Sequence, residues 1–512
     1  MTLSLLSLAP LPLLLGAIAF TLAPGRRPGR LPLLAEGAAL AGLGLAIAGA
    51  VQLAMAGPPP SGSGLFAADR IPAILAGLVA FIGWVVVRYA RRYLDGEARE
   101  GRFHGLLLAA VGVVLATVQA GSLALLVIGL ALTGLLVERL LCFYSGRAEA
   151  RRAARKFRLA WRASDASLLV AAGLFWAAFG TLDLAALRAS AEGGLPPLAQ
   201  AGVVLLALSA ILRTAAFPVH GWLTEVMEAP TPVSALLHAG IVNSGGVVLI
   251  LMAPLVQASP AAMTILVLVG GFSALFGAAV LLTQSAVKTA LAWSTVAQMG
   301  FMLMQCGLGL WALALLHIVA HSLYKAHAFL ASGGAVAEVR DRQRPGPVAT
   351  PGPMAVARAF AIALAVYAAA ATASALLLGP KSAQALAIGA ILVFGIAYLV
   401  AQGLADAAPG ALTRRTVAAS GAATLAYFAF HALAEAIAGP VLPAPPAPTP
   451  LEWALMLLAL GSFGAVAIAQ ALFPLWAHHP AAAGIRVHLA NGLYVNALLD
   501  RLTGGLRTRK AA

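Results

Sequence analysis

The chain has 512 residues, of which 61% are hydrophobic and only 10% charged, and its mean hydropathy is +0.92. That balance lies far outside the range of water-soluble domains and leaves no polar stretch long enough to fold as one. The net charge of +15 would suit nucleic acid, but the basic residues stand in short clusters between apolar runs, where anionic lipid headgroups suffice as partner and no nucleic-acid binding is expected.

Apolar runs of about 20 residues recur near 3–22, 33–55, 71–87, 104–118, 122–143, 166–186, 198–226, 232–253, 262–282, 288–306, 310–337, 354–378, 385–404, 415–437 and 453–473. They predict an all-α polytopic membrane protein of about fifteen transmembrane helices. The first run lacks a charged flank and a small-residue cleavage site, so a retained helix is expected rather than a signal peptide. The clusters at Arg26 to Arg30, Arg88 to Arg102, Arg147 to Arg162, Arg340 to Arg344, Arg414 with Arg415, and Arg501 to Lys510 each follow an odd-numbered run. The loops between are almost free of Lys and Arg, which places the N-terminus outside and the C-terminus in the cytoplasm. A bacterial inner (plasma) membrane protein is the expectation. The only cysteines, Cys142 and Cys306, are far apart, and no phosphate loop, dinucleotide fingerprint or H-E-x-x-H occurs. Without a catalytic motif, a transport or coupling role driven by a gradient is expected instead of an enzyme.

The run at 198–226 carries Arg213 and, one turn on, Pro218, which should break the helix. Pro230 and Pro232 open the next run, and His238, Asn243 and Ser244 carry polar groups into the membrane. Further on, Lys288, His317, His321 and Lys325 lie in apolar sequence, where an ionisable side chain costs about 3 kcal/mol or more at mid-bilayer. At about 100° per residue, His321 and Lys325 fall roughly 40° and 80° around the helix from His317. With Tyr324 they form one polar stripe, the pattern of a proton path.

The segments M-E-A-P-T-P-V-S-A-L-L-H (227–238) and K-T-A-L-A-W-S-T-V-A-Q-M-G-F-M (288–302) resemble the signatures of the proton-conducting antiporter-like family of complex I and Mrp membrane subunits. The resemblance runs from about residue 85 to 340. It implies inverted five-helix repeats, each with a broken helix, around a hydrophilic axis. Residues 1–103 would then be N-terminal helices, 104–340 the proton-conducting core, 341–473 C-terminal helices, and 474–512 a cytoplasmic tail. Position by position, Lys288, Lys325, His238, His317 and His321 match the family's proton-carrying residues. Two departures stand out. Arg213 replaces a lysine, and a guanidinium keeps its proton, so it suits a gate or fixed charge. Its usual glutamate partner falls at Ala131, which makes Glu138, two turns on, the expected partner of Arg213, with Glu228 in the same gate group. The lysine and aspartate of a later broken helix are also missing, since 354–378 holds only Arg358.

The H-S-L-Y-K-A-H-A-F-L-A-S-G stretch (321–333) and the ending V-H-L-A-N-G-L-Y-V-N-A-L-L-D-R-L (487–502) resemble the DabB-type membrane subunits of DAB inorganic-carbon pumps. That branch implies a large soluble, zinc-containing DabA-type partner like a β-carbonic anhydrase, docked on the cytoplasmic loops 88–103, 144–163 and 338–352. Cation flow, of protons, would then drive CO2 hydration in the partner, with zinc there and no cofactor in this chain. The other classes are an antiporter-like subunit of an NADH-quinone or Mrp complex, and a self-contained transporter.

Plainer readings stand beside each residue. Lys325 and Lys288 can be anchors reaching the interface, Lys288 the more so at the edge of its span. His317 and His321 at i, i+4 can bind a metal, although no third ligand is at a recognisable spacing. His238 can be a packing residue, Glu225 and Glu228 loop caps, Glu138 with Arg139 a surface pair. His327 points away from Lys325, and His431 with Glu435 extends the path only if the late helices join it.

Overall fold

The computed structural model describes residues 4–57, 65–334, 352–403 and 410–502. Among these there are helices and two isolated bridges but no strand, as a lipid-exposed chain requires when every backbone group must be satisfied within itself. Ten helices are long and apolar enough to cross a membrane, and three shorter apolar ones accompany them. The principal helices are α1 (Leu11–Ala19), α2 (Leu31–Ala56), α3 (Arg70–Tyr93), α4 (Glu100–Thr117), α5 (Leu123–Leu141), α6 (Ala148–Phe179), α7 (Pro197–Arg213), α8 (Thr231–Ala239) and α9 (Ser244–Leu251). They continue as α10 (Pro260–Leu281), α11 (Val287–Gly307), α12 (Trp311–Ala331), α13 (Pro353–Leu378), α14 (Ala383–Gly403), α15 (Gly410–Ala438), α16 (Pro450–Ala471), α17 (Pro480–Ala490) and α18 (Val495–Leu502).

Two interruptions shape the core. Helix α7 ends at Arg213, five residues before Pro218, because a proline removes one N–H and pushes the residue before it out of the helical region. The freed backbone groups find partners: Trp222 Nε1 donates to the Leu212 carbonyl at 3.1 Å, and Ser273 Oγ accepts from Phe217 N at 3.0 Å. The second interruption separates α8 from α9 at Gly240. There Asn243 Nδ2 donates to the buried Ala239 carbonyl at 3.1 Å and to Ser322 Oγ of α12 at 2.8 Å. Helix α13, by contrast, is continuous; its sequence holds no Gly or Pro after Pro353, so nothing breaks it.

Helices α10 and α11 lie backbone to backbone. A Cβ at Gly270 would stand 2.6 Å from both the Gly300 carbonyl oxygen and Met304 N, and one at Gly277 would stand 2.7 Å from Ala297 N. Small residues at these crossings let the helices approach as close as lipid-embedded packing allows. That approach fixes α11, which carries one side of the polar line described next.

Candidate proton path

Helix α8 packs mainly on α12, and its side chains reach α11 at matching seven-residue spacing. In their first turns, Lys288 Nζ donates to Thr231 Oγ1 at 3.2 Å, and Thr231 Oγ1 donates on to Tyr93 OH at 3.4 Å. Seven residues deeper on both helices, His238 Nδ1 meets Thr295 Oγ1 at 3.1 Å. Two turns is about 10 Å of depth, so the pairs are successive rungs between the two helices. The ring of His238 is buried and stacked on Phe329 at 4.2 Å, which leaves Nε2 without a protein partner.

Between the rungs lies Lys325 of α12, with 0% of its surface exposed. Its Nζ donates to the Leu291 carbonyl at 2.9 Å and to Ser294 Oγ. The same carbonyl also accepts from Ser294 Oγ and Thr295 Oγ1, each at 3.0 Å. All these oxygens are uncharged. One turn back along α12, His321 is buried with no protein partner for either ring nitrogen, and its ring centre is 6.1 Å from that of His317. His317 Nδ1 meets Gln305 Oε1 of α11 at 2.9 Å. From Lys288 to Gln305 the line follows seventeen residues of α11, about 26 Å of rise against a hydrocarbon core of about 30 Å.

The structure thus brings Lys288, His238, Lys325, His321 and His317 together along α8, α11 and α12. Tyr324 is placed differently: it is 54% exposed, at the edge of the stripe, although Lys325 Nζ is 5.5 Å from its ring centre. The buried arc of α12 is centred on His321 and Lys325, which leaves Tyr324 facing outward. His327 is exposed as well.

The acid beside Arg213 is Asp165, not Glu138. Arg213, with 0% exposed, donates from a terminal guanidinium nitrogen to Asp165 Oδ1 at 2.5 Å and lies 4.7 Å from the centre of the Trp161 ring. Glu138 pairs instead with Arg158 at 3.1 Å. The reason is in α6 and α7, which are knitted by Ser164 to Ser209 (2.8 Å) and Ser167 to the Leu205 carbonyl (2.8 Å) and so present Asp165 to the end of α7. Glu228 binds Arg147 at 2.7 Å and takes no part in that gate. Glu225 binds Lys156, a buried lysine whose Nζ lies 2.7 Å from Glu225 Oε1 and 2.9 Å from Asp500 Oδ2 of α18.

Asp165, Lys156, Ser294, Thr295 and Gln305 were not singled out from the sequence. Asp165 stands one residue before the apolar run that begins at 166, and Lys156 is the single lysine among the arginines of 147–162. Each carried a weak signal of its own. The basic loop 338–352 and the end of the tail lie outside the described residues, apart from Gly352. Among the described residues no group of three or more His, Cys, Asp or Glu is placed to hold a metal ion.

Residues 120–374 match the family described as NADH:quinone oxidoreductase/Mrp antiporter, TM. The probable inorganic carbon transporter subunit DabB2 of Halothiobacillus neapolitanus is 36% identical over 474 residues, 87% of this chain and 82% of that protein. The probable inorganic carbon transporter subunit DabB of Hydrogenovibrio crunogenus is 42% identical over 278 residues, 54% of each, so the match spans about half of that relative. In fold, the chain is similar to a subunit in the structure of the Mrp complex from Dietzia sp. DQ12-45-1b, with a TM-score of 0.63 at 23% identity over 98% of this chain and 59% of that one. With its broken helices, its buried lysine and histidines and a relative alike over most of both lengths, the chain belongs to the antiporter-like family of ion-translocating membrane subunits, in the group of the DabB subunits.

Proposed function

We propose that the chain is the proton-conducting subunit of an energy-coupled inorganic-carbon pump, working with a large soluble zinc-containing partner on its cytoplasmic face. The observation that carries this reading is Lys325, buried at the centre of the line and held by neutral oxygens from a facing helix. An ammonium in that setting exchanges its proton with whichever histidine or water reaches it, whereas a carboxylate partner would pin it as a fixed ion. The inorganic-carbon assignment is supported by the DabB relatives, which are themselves described as transporter subunits.

In the mechanism, Lys288 and Thr231 collect a proton at one face. His238 and Thr295 hold the second rung, Lys325 exchanges with His321, and His317 with Gln305 carries the charge toward the far face. Arg213 and Asp165 form a fixed pair beside the line that shapes its field without moving protons. Zinc, when bound in the partner, would supply the hydration chemistry there.

Purification from the native membrane, with mass spectrometry and metal analysis, tests the partner. A stoichiometric soluble zinc protein is expected. Redox or Mrp-type subunits in its place would favour the respiratory alternative, and a chain that reproducibly purifies alone would overturn the docking. Growth at limiting CO2 tests the conduction: Lys325→Ala is expected to abolish it while the complex still assembles, and near-normal growth would refute the relay.

A further inference from the structure

The line from Lys288 ends at His317, still about 9 Å from the start of α12 by the rise from Trp311. Helix α13 offers no way out, since its only ionisable groups are Arg358 and Tyr367. Helix α15, which packs against α12, holds another set of groups at the same face. His431 is seven residues, about 10 Å, from the α15 end at Ala438, so it sits at the depth of His317. Its Nε2 is 3.3 Å from Glu435 Oε1, and Glu435 Oε2 is 2.6 Å from Nζ of Lys381, which comes from the turn between α13 and α14.

The exposures grade outward. The side chains of His431 and Lys381 are 3% and 5% exposed, whereas that of Glu435 is 43% exposed within a turn of the helix end. The inner end continues as buried polar groups on one face of α15, with Thr424 and Ser420 at one-turn spacing below Tyr427. The Tyr427 ring centre is 5.9 Å from that of His431, and its hydroxyl donates to the Ala385 carbonyl at 2.6 Å. Gln384 of α14 and Tyr367 of α13 are buried beside the start of α14, and Asp69 and Arg70, at the start of α3, line a cavity with Ala436 and Ile437. Where α12 meets α15, Leu310, Leu313 and Leu316 from the start of α12 and Tyr427 of α15 pack in one apolar layer.

We propose that His431, Glu435 and Lys381 form a proton-exchange site at the membrane face opposite Lys288, the terminal station of the path, with a proton as its ligand. Lys381 occupies one carboxylate oxygen and leaves the other aimed at the imidazole. A proton arriving on His431 therefore passes from Nε2 to Glu435 Oε1 and then to water at the exposed edge, and the imidazole returns to neutral. The apolar layer isolates this station, so it exchanges with its own side of the membrane and with His317 only when Tyr427 and the leucines part. This rests on the proton-conducting reading of the core.

The test uses the full chain, with whatever co-purifies from its native membrane, in vesicles with a trapped pH dye and the pH varied on one side at a time. Glu435→Gln is expected to cut proton flux at least tenfold and to remove its dependence on pH at the Lys381 face, leaving the response at the Lys288 face. Glu435→Asp is expected to restore a measurable part. Wild-type flux with unaltered pH response in Glu435→Gln would overturn the proposal. So would an apolar swap, Lys381→Met with Glu435→Leu, that conducts like the wild type, because the pair would then be a packing contact. If Lys325→Ala conducts normally while Glu435→Gln does not, the central relay fails and the exchange site stands. A wild-type chain that moves no protons removes both.

Discussion

At the scale of single residues, the informative comparison is between two buried cations. Arg213 has a carboxylate at 2.5 Å and an aromatic face, so it is a neutralised fixed charge, while Lys325 touches only neutral oxygens. Their substitutions should therefore fail in opposite ways. Asp165→Asn strands a buried guanidinium and is expected to cost about 3–5 kcal/mol, seen as a fall in thermal midpoint or loss of assembled complex. Arg213→Lys is expected to keep both fold and flux, and Arg213→Ala to lose them. Lys325→Arg is expected to assemble with an unchanged midpoint yet carry no protons, because an arginine does not release its proton; vesicle flux near the wild-type rate would contradict the relay.

At the scale of helices, close approach positions the chemistry. Lys288, Leu291, Ser294, Thr295 and Gln305 all project from α11, and α11 is set against α10 through Gly270, Gly277 and Gly300. Gly270→Leu would drive a side chain into the Gly300 carbonyl and is expected to destabilise by about 1–3 kcal/mol and to cut flux as the rungs separate, measured as midpoint and dye response in one preparation. Normal flux there would show that the rungs tolerate misalignment. This level was only partly legible in the sequence. The stripe of His317, His321 and Lys325 follows from helical periodicity, and the break near Pro218 follows from proline chemistry. The partners do not: Asp165 faces Arg213 because α6 and α7 lock through serines forty-odd residues apart, and no local pattern reports that pairing. Glu138 looked suitable by its place along the chain, but it turns to Arg158. Tyr324 has the right spacing and the wrong side of the arc.

At the scale of the whole molecule, the last described helix acts on the core. Helix α18 brings Asp500 to Lys156 and Glu225, and Asn496 Nδ2 to Thr224 Oγ1 at 3.5 Å, so the end of the described chain closes over the turn after the α7 break. Asp500→Ala is expected to lower the thermal midpoint by several degrees, and less than Glu225→Ala if the core carboxylate is the stronger anchor; equal wild-type midpoints for both would mean that the three charges are independent of stability. The positions of the arginine clusters predict that this face is cytoplasmic. Single cysteines introduced at residue 146 and at residue 443 are expected to label from opposite sides of the membrane, and labelling from the same side would overturn the topology.

The crowded Leu291 carbonyl has a kinetic consequence. It keeps two hydroxyl donors when Lys325 swings away, so losing the ammonium orphans nothing and reorganisation on either leg of a turnover is slight. A berth whose remaining hydrogen bonds survive the exchange adds no directional bias of its own. The membrane arm should therefore run forward and backward with equal ease, and equal and opposite pH gradients should give equal initial rates in vesicles of uniform orientation. Under the proposed coupling, directionality would then belong to the partner's reaction: a steady drain of product, not a valve in the membrane, would decide which way protons travel.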